Sequence, residues 1–162
     1  MIKLKYYIYS VGKIREPFYV EGINEYLKRL SIYTTIELLD GYEEKLSPKA
    51  SEKDIAKALA KEAQKLLNSI SPDDLVILLD IQGKRLSSVG FAQEIEAYNL
   101  SGKTRVNFII GSSYGVADEV KKRADKLISF SAMTFPHQMA VLILAEQIYR
   151  GFKILRNEPY HK

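Results

Sequence analysis

No cysteine occurs among the 162 residues. That excludes disulfides, thiolate nucleophiles and thiolate metal sites, and it fits a reducing compartment, with the cytoplasm as the default. The histidines are only His137 and His161, too few without cysteine for a structural zinc site, so no metal is expected. No apolar run approaches the length of a membrane span, and the opening Met1-Ile2-Lys3-Leu4-Lys5 lacks the apolar core and cleavage site of a secretory signal. Neither a membrane nor export is expected. Repeats, low-complexity tracts and Pro/Gly/Ser-rich linkers are also missing, so residues 1–162 read as a single domain.

Several catalytic signatures are missing too. The fingerprint G-x-G-x-x-G follows no predicted strand, which removes support for a dinucleotide enzyme, and there is no G-x-S-x-G elbow for a serine hydrolase. Ser101-Gly102-Lys103-Thr104 imitates the end of a phosphate-binding loop. Its required first glycine would fall at Ala97, however, and it precedes a strand instead of joining a strand to a helix.

What is present describes a folded chain: 46% hydrophobic and 27% charged residues leave enough apolar surface for a core. The balance of 24 Lys+Arg against 20 Asp+Glu gives +4. The cations cluster at Lys28-Arg29, Lys84-Arg85, Lys103 with Arg105, and Lys121-Lys122-Arg123. Such clusters are either solvated faces or a phosphate-binding surface, and charge alone does not decide between them.

The order of elements is alternating. A β-rich start from Ile2 to Tyr9 leads through Gly12 to a helix near Glu16 to Leu30, then to a strand from Thr34 to Leu39 and a polar loop from Gly41 to Ala50. Ser51 with Asp54 resembles a capping box, and Ile55, Leu59, Ala63, Leu66, Leu67 and Ile70 share one helical face that ends before Pro72. Leu75 to Leu79 and Val106 to Ile110 are continuous apolar runs, as in strands covered on both faces. Between them a helix starting at Ser87 or Ser88 turns Phe91, Ile95 and Tyr98 inward. A helix from Asp118 to Asp125, a strand from Leu127 to Phe130, and a helix from Pro136 to Leu155 complete the chain. The last helix is apolar nearly all round, which demands cover from its own sheet or from a second subunit; the small domain favours the second. The fold class is α/β, a mostly parallel sheet with helices on both faces.

The C-terminal third carries a longer pattern: Ser129-Phe130-Ser131-Ala132-Met133-Thr134-Phe135-Pro136-His137-Gln138-Met139, then Glu146-Gln147-Ile148-Tyr149-Arg150, then Pro159-Tyr160-His161-Lys162. With Val11-Gly12-Lys13 and Leu79-Asp80-Ile81-Gln82-Gly83-Lys84 it resembles, over essentially the whole length, the bacterial ribosomal RNA large-subunit methyltransferase H family of the SPOUT superfamily. The resemblance implies a C-terminal trefoil knot, an exception to the rule that chains do not knot. It also implies S-adenosylmethionine as cofactor, held by loops at Leu79, at Gly111, and at Phe130, Ser131, Ala132, Met133, Thr134 and Phe135. Read alone, Gly111 and Gly115 are turn residues, and Phe130 and Phe135 are core.

The implied reaction is methyl transfer to N3 of a pseudouridine in helix 69 of 23S ribosomal RNA in the ribosome, carried out by a cytoplasmic homodimer without a metal. His161 and Tyr160 in the tail are expected to close over the base, with His161 moving the proton, and Arg150 to meet phosphate or orient the tail. Without the resemblance, the tail reads as a mobile end and Arg150 with Glu146 as a helical ion pair. His137 ranks below His161, as a helix-start residue against the cofactor loop. Two positions depart from the family pattern: Ser112 stands where a second glycine is usual, and Val141 where an arginine is usual. They leave a second expectation, a catalytically weakened paralogue acting as a ribosome- or RNA-binding dimer. A small-molecule methyltransferase fits less well, because it gives the basic clusters and tail no purpose.

Overall fold

The structure is a computed structural model that describes residues 3–162. Strand β1 (Lys5–Ser10) leads to helix α1 (Pro17–Leu30) and β2 (Thr35–Asp40); α2 (Glu52–Asn68), β3 (Leu75–Arg85), α3 (Ser88–Asn99) and β4 (Arg105–Ile110) follow. The chain ends with α4 (Asp118–Arg123), β5 (Lys126–Ser129) and α5 (His137–Leu155). The expected first strand began at Ile2, which lies outside the described residues.

The strands form one sheet in the order β2-β1-β4-β3-β5, and every pairing is parallel. Alternation along β1 separates two cores. Tyr6 and Ile8 join Ile77, Phe108, Ile95, Leu144 and Ile148 beneath α1, α3 and α5. Tyr9 joins Val76, Leu78, Ile109, Leu66 and Val120 beneath α2 and α4. Helices thus cover both faces, as the continuous apolar strands required. Each fully buried leucine or isoleucine contributes about 2 kcal/mol through the water it sheds.

Local chemistry explains most boundaries. The Ser51 side chain accepts the Asp54 N–H, and Asp54 in turn accepts the Ser51 N–H, both at 3.1 Å, which closes the capping box. The Ser87 hydroxyl caps α3 through the Gly90 N–H at 3.0 Å. Helix α4 stops at Arg123, short of the expected Asp125, for a tertiary reason. The Asp125 N–H donates to the Val76 carbonyl and its carboxylate accepts the Val76 N–H, both at 2.8 Å, drawing the chain onto the sheet edge.

Two features depart further from expectation. Strand β3 continues past Leu79 to Arg85 with an interruption: Leu79 and Lys84 both pair with Ile128 of β5, so residues 80–83 loop over that strand. A Cβ on Gly83 would lie 2.6 Å from the Ile128 nitrogen, so the two backbones touch where they cross. Helix α5 finds its first cover within its own chain, where the sheet, α1 and α3 bury Val141, Leu144, Ala145, Ile148, Tyr149 and Phe152. Leu142 and Ile143 are half-buried and Met139 is exposed. No helix of the described residues is long and apolar enough to cross a membrane.

Candidate active site

Because the strands are parallel, their carboxyl ends and following loops gather on one side of the sheet, the usual place for a ligand. There a cavity of about 810 Å³ opens between the interrupted stretch of β3 after Leu79 and the loops after β4 and β5, within the range of small-molecule sites. Leu79, Gly111, Phe130, Ser131, Met133, Thr134 and Phe135 line it. Three separate stretches of sequence therefore meet at one place. Ala132 belongs to the same loop but is exposed and does not line the cavity.

Each loop is held by its own hydrogen bonds. The Ser129 hydroxyl donates to the Ser131 carbonyl at 3.0 Å, and the Ser131 side chain accepts the Met133 N–H at 3.0 Å. After β4, a Cβ on Gly111 would fall 2.9 Å from the Gly115 carbonyl oxygen, so only glycine lets this turn close. The neighbouring Ser112 hydroxyl accepts the Tyr114 N–H at 3.3 Å, which turns that side chain into its own loop. The wall is mostly apolar with one charge of each sign, Asp80 and Lys121, and it ends at Pro136, His137 and Ala140 where α5 begins. The set suits a ligand that combines an aromatic or apolar part with charged groups of both signs.

Arg150, Tyr160 and His161 are also brought together, but elsewhere. Arg150 lies thirteen helical steps beyond His137, about 20 Å at 1.5 Å per residue, and none of the three lines the cavity. The tail is docked, which removes the reading of it as a mobile end. The Tyr160 hydroxyl donates to Glu146 Oε2 at 2.9 Å, and its ring packs edge-on against Tyr149 at 4.9 Å. Arg150 reaches Glu146 Oε2 at 2.6 Å through Nη2 and lies 4.7 Å from the Tyr160 ring centroid. Its Nη1 sits 3.1 Å from His161 Nδ1. A guanidinium only donates, so this contact fits an imidazole with its proton on Nε2. Arg150 thus bonds to Glu146 and touches the tail in one arrangement.

Upstream, Glu158 accepts from Tyr33 at 2.7 Å and Lys153 at 2.9 Å, anchoring the last turn. These two hydrogen bonds hold the Glu158 carboxyl below its ordinary value. Burial, and then hydrogen bonds to Tyr26 and Glu146, push the Tyr160 hydroxyl well above its ordinary value. Tyr160 therefore keeps its proton at neutral pH and serves as a hydrogen-bond donor.

Sequence reasoning missed Asp80, Ile81, Val116, Lys121 and Ala140 in the lining and left His137 in second rank. Lys121 had been grouped with Lys122 and Arg123 as one basic patch. Arg123, however, donates to the carbonyls of Ser71 and Asp74 at 3.0 and 2.8 Å, a structural clamp. Val141 is completely buried in the core, so this position offers no surface to RNA or to a partner.

A family model described as "Predicted SPOUT methyltransferase" matches residues 4–161. The chain is similar to the ribosomal RNA large subunit methyltransferase H of Syntrophomonas wolfei, at 56% identity over 98% of this chain and 100% of the relative. That of Desulfitobacterium hafniense is 47% identical over 100% of both chains, and that of Enterococcus faecalis 44% over 98% and 100%.

Proposed function

The chain belongs to the SPOUT methyltransferase family, and from that premise we propose that it is the S-adenosylmethionine-dependent enzyme that methylates N3 of a pseudouridine in helix 69 of 23S ribosomal RNA. One observation carries this reading: the three loops assigned to the donor converge on one apolar cavity holding Asp80 and Lys121. When bound, S-adenosylmethionine supplies an activated methyl group on a positively charged sulfur, so no metal is called on. Asp80 offsets positive charge on the donor, Lys121 meets its carboxylate, and the Gly111 turn brings backbone close enough to hydrogen-bond an adenine. The loop of residues 130–135 excludes water from the transfer.

Accepting the methyl group costs the base nitrogen its proton. His161 takes that proton on Nδ1, which Arg150 must first release, while Tyr160 stays protonated and hydrogen-bonds or stacks on the base. We place this tail at the cavity of a second copy, because within one chain α5 separates tail and cavity. The enzyme is accordingly a homodimer of single-domain chains working in the cytoplasm, where ribosomes are. The crossing of residues 80–83 over β5 supports reading the C-terminal region as a trefoil knot. The alternative, a catalytically weakened RNA-binding paralogue, is less favoured: Ser112 lines the cavity but its hydroxyl bonds within its own loop, and Val141 packs in the core.

Calorimetry with S-adenosylmethionine and transfer of a labelled methyl group to purified ribosomes test the proposal. Deleting Tyr160 to Lys162 is expected to leave donor affinity unchanged and to lower Tm by a few degrees, through the lost Tyr160 contacts, while transfer falls about a hundredfold or more. Absent donor binding by the intact chain would refute the enzyme, and full transfer by the truncated chain would refute the tail's role.

A further inference from the structure

The sequence drew attention to cations that cluster, and the three arginines Arg29, Arg105 and Arg123 of those clusters are engaged with acids of the same chain. Arg29 pairs with Glu25, Arg105 with Asp74, and Arg123 with Asp125. Two cations outside every cluster are in the opposite state. Lys13 and Arg15, in the loop between β1 and α1, are exposed and take part in no ion pair among the described residues.

The backbone that carries them is fastened at nearly every position. Val11 N–H donates to the Ile110 carbonyl at 3.0 Å, and Ile14 N–H to the Asp40 carboxylate at 2.8 Å. One oxygen of Gln138, Oε1, accepts both the Arg15 and Glu16 N–H groups, at 2.8 and 3.0 Å. His137, which lines the donor cavity, places Nε2 at 3.2 Å from the Lys13 carbonyl. A fixed backbone bearing two unpaired cations therefore abuts the cavity through His137. The acids Glu16 and Asp40 lie in and beside this stretch. Asp40 keeps its charge while its Oδ2 accepts the Ile14 N–H, so the positive charge on offer is that of the exposed Lys13 and Arg15 side chains themselves.

We propose that Lys13 and Arg15 form a phosphate clamp that docks the RNA strand beside the donor cavity, with His137 and Gln138 as the positioning residues that hold it there. The proposal rests on the rRNA methyltransferase reading and adds where the RNA backbone is held. Phosphate contacts fix register and orientation. A loop ordered in advance avoids the cost of ordering on binding, and each cation neutralising a phosphate releases counterions.

The test compares the full-length chain with the Lys13→Ala/Arg15→Ala double variant, with Gln138→Ala, and with Lys57→Ala/Lys61→Ala. The last removes two exposed charges from α2 on the other face of the sheet. Ribosome co-sedimentation and labelled transfer are measured across a salt series, with S-adenosylmethionine affinity measured separately. The Lys13/Arg15 variant is expected to lose about tenfold in ribosome affinity and in kcat/KM, with its log-log salt slope shallower by about 2. Its donor affinity should stay at the wild-type value. Gln138→Ala should weaken binding several-fold with the salt slope kept, because the cations remain but their backbone is released. The α2 control should stay within about twofold. Wild-type affinity and slope in the Lys13/Arg15 variant would overturn the clamp, as would an equal loss in the α2 control. A wild-type chain that binds ribosomes through Lys13 and Arg15 but neither binds donor nor transfers methyl would keep the clamp and refute the enzyme.

Discussion

On α2, Glu62 shares its inward face with Ala58, Ala63 and Leu66, and its Oε2 accepts the Glu44 N–H at 2.8 Å, tying the 41–50 loop to the helix. Burial raises its carboxyl above the ordinary value; the Glu44 hydrogen bond opposes this, and the charges of Glu43 and Glu44 add to it. A folded pKa above the unfolded one means that the folded chain holds this proton more tightly. The associated stability is full below the ordinary value of 4.5 and is lost as pH climbs through the raised one. Glu62→Gln keeps the acceptor and removes the charge. Its Tm should exceed that of the wild type at about pH 8 and converge with it as carboxyls protonate. Glu62→Ala should lose about 1 kcal/mol throughout, because the Glu44 N–H is left unpaired. Thermal melts across this pH range decide the matter, and parallel Tm curves for wild type and Glu62→Gln would show that the carboxyl titrates normally.

Among the elements, the crossing of β3 and β5 is where a glycine sits hardest against backbone, with Gly83 on Leu127 and Ile128. Gly83→Ala puts a methyl group where backbone already stands, and backbone retreats less readily than a side chain. The expected loss is about 3 kcal/mol or more in urea unfolding, together with weakened donor binding, since Leu79 and Asp80 begin the same loop. A Gly83→Ala chain with wild-type unfolding would mean that the crossing is looser than its contacts imply. This region also marks where sequence reading ran out. Helix starts at Ser51, Ser87 and Pro136 were legible because a cap is set by a few adjacent residues, and strands because apolar runs name themselves. The polar continuation of β3 through Gln82-Gly83-Lys84 carries no strand pattern; it pairs only because β5 passes beside it. Asp125 ends α4 by bonding to Val76, a partner 49 positions away. At the site, Leu79, Gly111 and the 130–135 loop were identified from family resemblance, not periodicity. Asp80 and Lys121 face the cavity only once distant loops have met, and the Gln138 contacts to Arg15 and Glu16 join opposite ends of the chain.

At the scale of the whole molecule, α5 is both the spine of the fold and the obstacle to a complete active site. Its 19 residues span about 28 Å, with the donor cavity at its first turn and Arg150 with the docked tail near its last. In the dimer proposed above, a twofold axis repeats one contact twice, so that each cavity would receive one tail from the other chain. This arrangement makes a prediction that a single-chain site does not share. Mixing equal amounts of a cavity-blocked chain, Ala140→Phe, and a chain lacking Tyr160 to Lys162 should produce activity where neither has any alone. Random exchange makes half of the dimers mixed. Each mixed dimer pairs one intact cavity with one intact tail, so transfer to ribosomes should recover to about a quarter of wild type. Calorimetry must show that the blocked chain no longer binds S-adenosylmethionine, and its Tm must show that it still folds; Thr134→Trp serves if it does not. An inactive mixture in which exchange has been demonstrated would place tail and cavity in the same chain, and would require α5 to break or the tail to travel its length.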